Sequence, residues 1–154
     1  MDTKAQDALV IIELYKLRCE PLMRTARAWF VSEFSPQSGR QIVDLMLSGQ
    51  EKSAYYRMVA SYWETTASLV NNGGVDERLF LEANTEHVVV FAKLQPFIDE
   101  IRQTIGEPDY LEHLERLVLK VPNIEKKLEN RRSLLKSWTR ASAGENQLAV
   151  GSGQ

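Results

Sequence analysis

Arg57, Ser61, Glu64 and Ser68 recur at intervals of four, three and four residues. At about 100° per residue they fall within about 60° of one another on a helix. If a neighbouring element covers that face, a cation, an anion and two hydroxyls form a buried cluster that is either satisfied internally or binds something polar. Arg57 and Glu64 are two turns apart, roughly 10 Å along the axis, too far for a direct pair unless both side chains bend together. Tyr62 and Trp63 lie beside them and could supply the apolar wall common in small-molecule sites. Arg57, Ser61, Tyr62, Trp63 and Glu64 are therefore the candidate ligand-binding residues. The competing reading is a solvated face, or one whose small residues Ala60, Ser61, Ala67 and Ser68 let another helix pack closely.

Other chemistry finds less support. His87 follows Glu86, and His113 lies among Asp109, Glu112 and Glu115, so a carboxylate can reach each imidazole. The Glu-x-x-His spacing of helical di-iron sites is missing, because Asn84 and Tyr110 stand three residues before the two histidines. His-Glu-x-x-His and Gly-x-Ser-x-Gly are also missing. Cys19, the single cysteine, sits on an apolar seam and reads as a buried thiol rather than a nucleophile. Gly73-Gly74 lacks the preceding strand and following Lys-Ser/Thr of a phosphate loop. No catalytic residue, metal ligand or cofactor is expected.

The element that would position the first cluster is Ser53–Asn72, read as an amphipathic helix of about five turns. Tyr55, Val59, Tyr62, Thr66, Leu69 and Val70, flanked by Met58 and Trp63, form its apolar side, so it is expected to be buried at the centre of the fold. Before it, Ala8, Ile12, Tyr15, Cys19, Leu22, Ala26 and Trp29 follow a three-four spacing, a heptad-like seam. Its phase continues across Pro21, which predicts one long kinked helix. Arg18, Arg24 and Arg27 lie off the seam and are expected to be solvated or paired. Ser38 can cap a helix over 39–47, and Asp76 can cap the segment after the glycines. Val88 to Phe91 has strand propensity but no partner strand, and Phe91, Leu94, Ile98, Ile101 and Ile105 keep helical spacing, with Pro96 as kink or restart. Helices over 109–119 and from Ile124 to about Arg140 follow.

Composition is ordinary: 154 residues, 44% hydrophobic, 26% charged and a formal charge of −2. That charge gives no global attraction to nucleic acid or membrane. Its distribution is uneven, with ten acidic and three basic residues over 76–115, and six basic and two acidic over 121–140. The basic helix could meet the acidic half, or touch an anionic membrane surface through 124–140, although Glu125 and Glu129 weaken that reading. Its lack of interleaved aromatics argues against nucleic acid. The start lacks a signal-peptide pattern, and no run approaches the ~18 apolar residues of a membrane span. A cytoplasmic protein is expected.

The run Arg57-Met58-Val59-Ala60-Ser61-Tyr62-Trp63, with Ala67-Ser68-Leu69-Val70, Gly73-Gly74-Val75-Asp76 and Leu79-Phe80, resembles an uncharacterised family of bacterial helical domains of unknown function. The resemblance runs from about Leu14 to Leu119. It implies a bacterial origin and a helical fold, and assigns no activity, cofactor or site residue.

These readings converge on an all-α, irregular bundle of about six helices, with a long kinked N-terminal helix and a buried central helix over 53–72. Residues 1–140 are read as one helical domain and 141–154 as a flexible Gly/Ser-containing tail. The leading function is a non-enzymatic interaction domain that self-associates or docks a partner protein through Ile12, Tyr15, Leu22 and Trp29. The alternative is a small-ligand sensor, or an enzyme without a sequence motif, with its pocket beside the central helix.

Overall fold

The computed structural model describes residues 2–151, and the side chains of residues 2–145. The described residues form nine α-helices and one 3-10 turn, with no strand among them. The helices are α1 (Thr3–Cys19), α2 (Pro21–Ser32), α3 (Gly39–Leu47), α4 (Glu51–Asn71), α5 (Glu77–Ala83), α6 (Glu86–Leu94), α7 (Ile98–Ile105), α8 (Glu112–Leu119) and α9 (Ile124–Gly151).

The count exceeds about six because both internal prolines break their helices. Glu20 is extended, at φ −60° and ψ 140°, and Pro21 opens α2 from its first turn. A proline clashes with a helical residue before it but suits the first position of a helix, so the N-terminal helix is cut and not kinked. Burial along the apolar seam changes after the first turn of α2: Ala8, Ile12, Tyr15, Cys19 and Leu22 are exposed, whereas Ala26 and Trp29 are buried. Cys19 is thus a surface thiol, contrary to the expectation of a buried one. At Pro96 the chain passes through the 3-10 turn Gln95–Phe97 and restarts as α7.

α4 lies in the core, packed between α2 and α8. Its buried face is Tyr55, Tyr56, Val59, Ala60, Trp63, Thr66, Ala67 and Val70, with Ser53. The axis of burial is rotated from the predicted stripe: Leu69 is exposed and Tyr62 half-buried, while Tyr56, Ala60 and Ala67 turn inward. Burial of Ala60 and Ala67 fits the close helix packing that small side chains allow. A second core helix, α6, buries Val88, Val89, Val90, Phe91, Ala92 and Leu94, with Glu86 and Lys93 together on one side. Apolar residues around most of its circumference suit an interior helix, and that burial overrides the strand propensity of its valines.

Many helix ends are closed by side chains distant in sequence, because short helices leave unpaired amides and carbonyls inside the fold. Glu100 accepts from the amides of Gly39 at 2.7 Å and Arg40 at 3.1 Å, at the start of α3. A Cβ on Gly39 would stand 2.7 Å from Cβ of Glu100, so this approach requires glycine. At the end of α2, Lys93 Nζ donates to the carbonyls of Phe30 and Phe34, each at 2.5 Å, and of Val31 at 3.2 Å. Burial pushes the Lys93 ammonium down to about 8. The three carbonyls at a negative helix end favour its charged form.

α9 begins at Ile124 as expected but does not stop near Arg140: it continues to Gly151, so most of the segment read as a tail is helical. Residues 152–154 of that expected tail lie outside the described residues. Leu128 and Leu135 are buried, with α9 packed on α6 and α2. Arg132 donates to the Ala92 carbonyl at 3.2 Å and to Oε1 of Gln95 at 3.1 Å, near the end of α6.

Candidate functional site

Where α1, α2 and the α5–α6 junction meet, charge is gathered inside the fold. Asp76 caps α5 through its Oδ1, 2.7 Å from the Leu79 amide, and α5 ends at extended Asn84. Thr85 then leads into α6, placing Glu86 in its first turn, where a carboxylate is favoured by the helix dipole. Arg27 grips that carboxylate with both edges of its fork, Nε to Oε1 at 2.8 Å and Nη2 to Oε2 at 2.5 Å, and holds the Arg18 carbonyl through Nη1 at 3.0 Å. Arg18 donates from Nη1 to Glu86 Oε2 and from Nη2 to Asn84 Oδ1, both at 3.2 Å. Its guanidinium lies 5.4 Å from the Tyr15 ring centre and 5.3 Å from that of Trp63. The hydrogen bond to Glu86 holds the Arg27 guanidinium above its ordinary range, with burial opposing. Two arginines on one glutamate leave the group with one excess positive charge.

His87 follows on α6, 1% exposed, with its ring 5.7 Å from Trp63 and 5.4 Å from Phe80. Neither ring nitrogen has a hydrogen-bond partner among the described residues, and the same holds for Arg18 Nε and Trp63 Nε1. Burial, reinforced by the Arg18 charge and opposed by Glu86, lowers His87 to about 4, so its imidazole is neutral at pH 7. The Glu86 carboxylate, one residue away, is occupied by the two arginines. His87 lines a cleft of about 840 Å³ between the α5–α6 segment and α9. On the far side of Thr85 a second depression, of about 930 Å³, is lined by Arg27, Glu86 and Arg131 among others.

The five residues predicted around α4 are not brought together. Arg57, Ser61 and Glu64 line a depression of about 590 Å³ with Tyr56 and Tyr110. Tyr62 and Trp63 turn towards α1 and α6: the Tyr62 hydroxyl donates to the Leu14 carbonyl at 2.7 Å, and Trp63 packs edge-on against Tyr62 at 4.9 Å. Arg57 is exposed and, among the described residues, hydrogen-bonds only the Ser53 carbonyl of its own helix, at 3.3 Å. Ser61 is exposed, and its hydroxyl lies 3.4 Å from the Met58 carbonyl. Glu64 accepts from the amides of His113 at 3.1 Å and Leu114 at 2.8 Å, closing the first turn of α8. Glu64→Ala should therefore lower stability by about 0.5–2 kcal/mol, the range for a lost helix cap, as read from the urea unfolding midpoint.

Of the interaction residues, Ile12, Tyr15 and Leu22 are exposed, whereas Trp29 is buried in an aromatic cluster, 5.0 Å from Phe34 and 6.1 Å from Tyr55. Sequence reasoning missed Arg18, Asn84 and Glu86 as a group. One signal was present, since Ile11, Leu14 and Arg18 repeat the three-four spacing on a side of α1 about 100° round from the seam. On α9, Lys126, Lys127, Lys136 and Arg140 face outward, but the apolar residues Leu128 and Leu135 are covered by the core. Among the described residues no three His, Cys, Asp or Glu side chains gather as a metal site, and no helix is long and apolar enough to cross a membrane.

An all-helical chain with an internal arginine–glutamate group is thus the class defined by fold and site. The chain belongs to the family described as a domain of unknown function, DUF4760, whose model matches residues 3–121. The match takes in α1 to α8 and leaves α9 outside. Among curated proteins and among solved structures, nothing matches the chain.

Proposed function

We propose that the protein is a non-enzymatic helical interaction domain that self-associates through the outward face of α1. The observation that carries this reading is that α1 has two apolar sides and the fold uses one. Val10, Ile11 and Leu14 pack on the core, while Leu9, Ile12 and Tyr15 on the other side are 51%, 49% and 59% exposed. A contiguous exposed apolar stripe on a 17-residue helix, roughly 25 Å long, is an expected association surface.

A second copy is the occupant we assign to this stripe. In an antiparallel pair of α1 helices centred on Ile12, Leu9 of one copy faces Tyr15 of the other and Ala5 faces Cys19. That register sets the two largest exposed side chains against each other and opposes the two helix dipoles. The lone, exposed cysteine suits the reducing cytoplasm in which we place the protein.

The double variant Ile12→Glu/Tyr15→Glu should be monomeric by light scattering at tens of micromolar, with an unchanged far-ultraviolet circular dichroism spectrum, because neither side chain is part of the core. An assembly that survives both charges would place the interface elsewhere.

A further inference from the structure

The cations of the chain divide into two populations. Before α9 most are committed within the molecule: Arg18 and Arg27 to Glu86, Arg40 to Asp44, Arg78 to Glu82 and Lys120 to Glu77. No ion pair among the described residues includes a cation of α9. On one flank of that helix Lys127, Arg131, Leu134 and Trp138 follow a four-three-four spacing, which sets them in a single row. Lys127 and Arg131 are like charges one turn apart, an arrangement that by itself disfavours the helix. Arg24, exposed on α2, lines the 930 Å³ depression together with Arg131 and Trp138.

The row is apolar as well as basic. Leu134 and Trp138, one turn apart, are each 43% exposed. The acids around them do not offset its charge. Glu86, which lines the same depression, is held by Arg27 and Arg18, and Glu77 and Glu82 across the cleft are held by Lys120 and Arg78. Glu125 and Glu129, which count against a basic α9 in the linear sequence, fall on its opposite flank. Glu145, two turns past Trp138, marks the far end of the row.

We propose that this row docks the protein on an anionic lipid bilayer. Lys127, Arg131 and Arg24 meet the phosphates and carboxylates of the headgroups, and Trp138 and Leu134 enter the boundary between headgroups and acyl chains. Tryptophan and leucine exposed beside lysine and arginine are what a helix lying in that boundary presents, and long cationic side chains keep their heads in water while their stems cover apolar surface. A single-stranded nucleic acid would use the same cations and the indole ring, but leaves Leu134 without a partner. The surface is separate from the outward face of α1 and does not depend on self-association.

Co-sedimentation of the full chain with vesicles tests this, using phosphatidylcholine mixed with phosphatidylserine against phosphatidylcholine alone. The chain is expected to pellet with the anionic vesicles at low salt, and to stay in solution with neutral vesicles or at high salt. Trp29 and Trp63 are buried, so the anionic vesicles should shield from acrylamide the Trp138 fluorescence that it quenches in the free protein. Lys127→Gln/Arg131→Gln should weaken partitioning about thirtyfold, at about fivefold per charge. Arg40→Gln/Arg116→Gln removes the same charge from exposed pairs elsewhere and should leave partitioning unaltered. No pelleting with anionic vesicles at low salt, equal pelleting with neutral vesicles, equal losses in the two double variants, or Trp138 still open to acrylamide on the vesicles would each overturn the proposal. Release of the chain from vesicles by a single-stranded oligonucleotide at equal charge concentration would reassign the row to nucleic acid.

Discussion

Glu86→Ala is expected to destabilise the protein by about 3–5 kcal/mol, the range for removing one partner from a buried ionic group. The Glu86 carboxylate carries two bonds from Arg27 and one from Arg18, and the side chains concerned are mostly shielded from water. Without it, the two guanidinium groups are left near each other with no anion between them, and of Arg18's side-chain hydrogen bonds among the described residues only the one to Asn84 remains. Glu86→Gln keeps the shape and an acceptor for Arg27 but removes the charge, so it should fall between wild type and Glu86→Ala. Urea unfolding followed by circular dichroism gives the values directly. A loss below about 1 kcal/mol for Glu86→Ala would mean that the arginines find water in its absence and that the group behaves as a surface network.

Acidification should expose the second large effect. His87 in the folded protein is lowered to about 4, against about 6.5 in an unfolded chain. Between those values the unfolded chain binds a proton that the folded chain refuses, so stability falls as pH drops from about 6.5 towards 4. A displacement of this size corresponds to about 3 kcal/mol, fully present above pH 6.5. His87→Phe keeps a ring between Trp63 and Phe80 and removes the titration, so its urea midpoint should change much less between pH 7 and pH 4.5 than that of the wild type. Parallel acid sensitivity in the two proteins would show that other groups control it.

Elements governed by local chemistry were legible in the sequence. Ser38 caps α3 through its hydroxyl, 3.1 Å from the Gln41 amide, and Asp76 caps α5, both as their positions imply. Gly106 ends α7 in the left-handed conformation, at φ 72°, which glycine adopts without strain. The central place of α4 followed from its aromatic content. Its rotation did not, because that depends on which neighbours approach Ala60 and Ala67. Continuity of the apolar phase across Pro21 suggested one helix, but the steric demand on Glu20 prevailed and moved the first part of the seam to the surface.

The candidate sites were less legible for a related reason. Glu64 was legible as part of a polar face on α4 but not as a helix cap, and like Glu100 and Lys93 it closes the end of a helix far away in sequence. Arg18 and Arg27 stand beside Glu86 only after α1 and α2 fold against the α5–α6 junction. Charge pairing at a separation of 59 to 68 residues leaves no periodic signal.

The mass of the wild-type assembly tests the central claim most directly. Light scattering on the full chain, at tens of micromolar and moderate salt, should give twice the chain mass if the exposed side of α1 pairs with a second copy. A single-chain mass across that concentration range would contradict self-association and leave the Leu9, Ile12 and Tyr15 stripe without the occupant assigned to it.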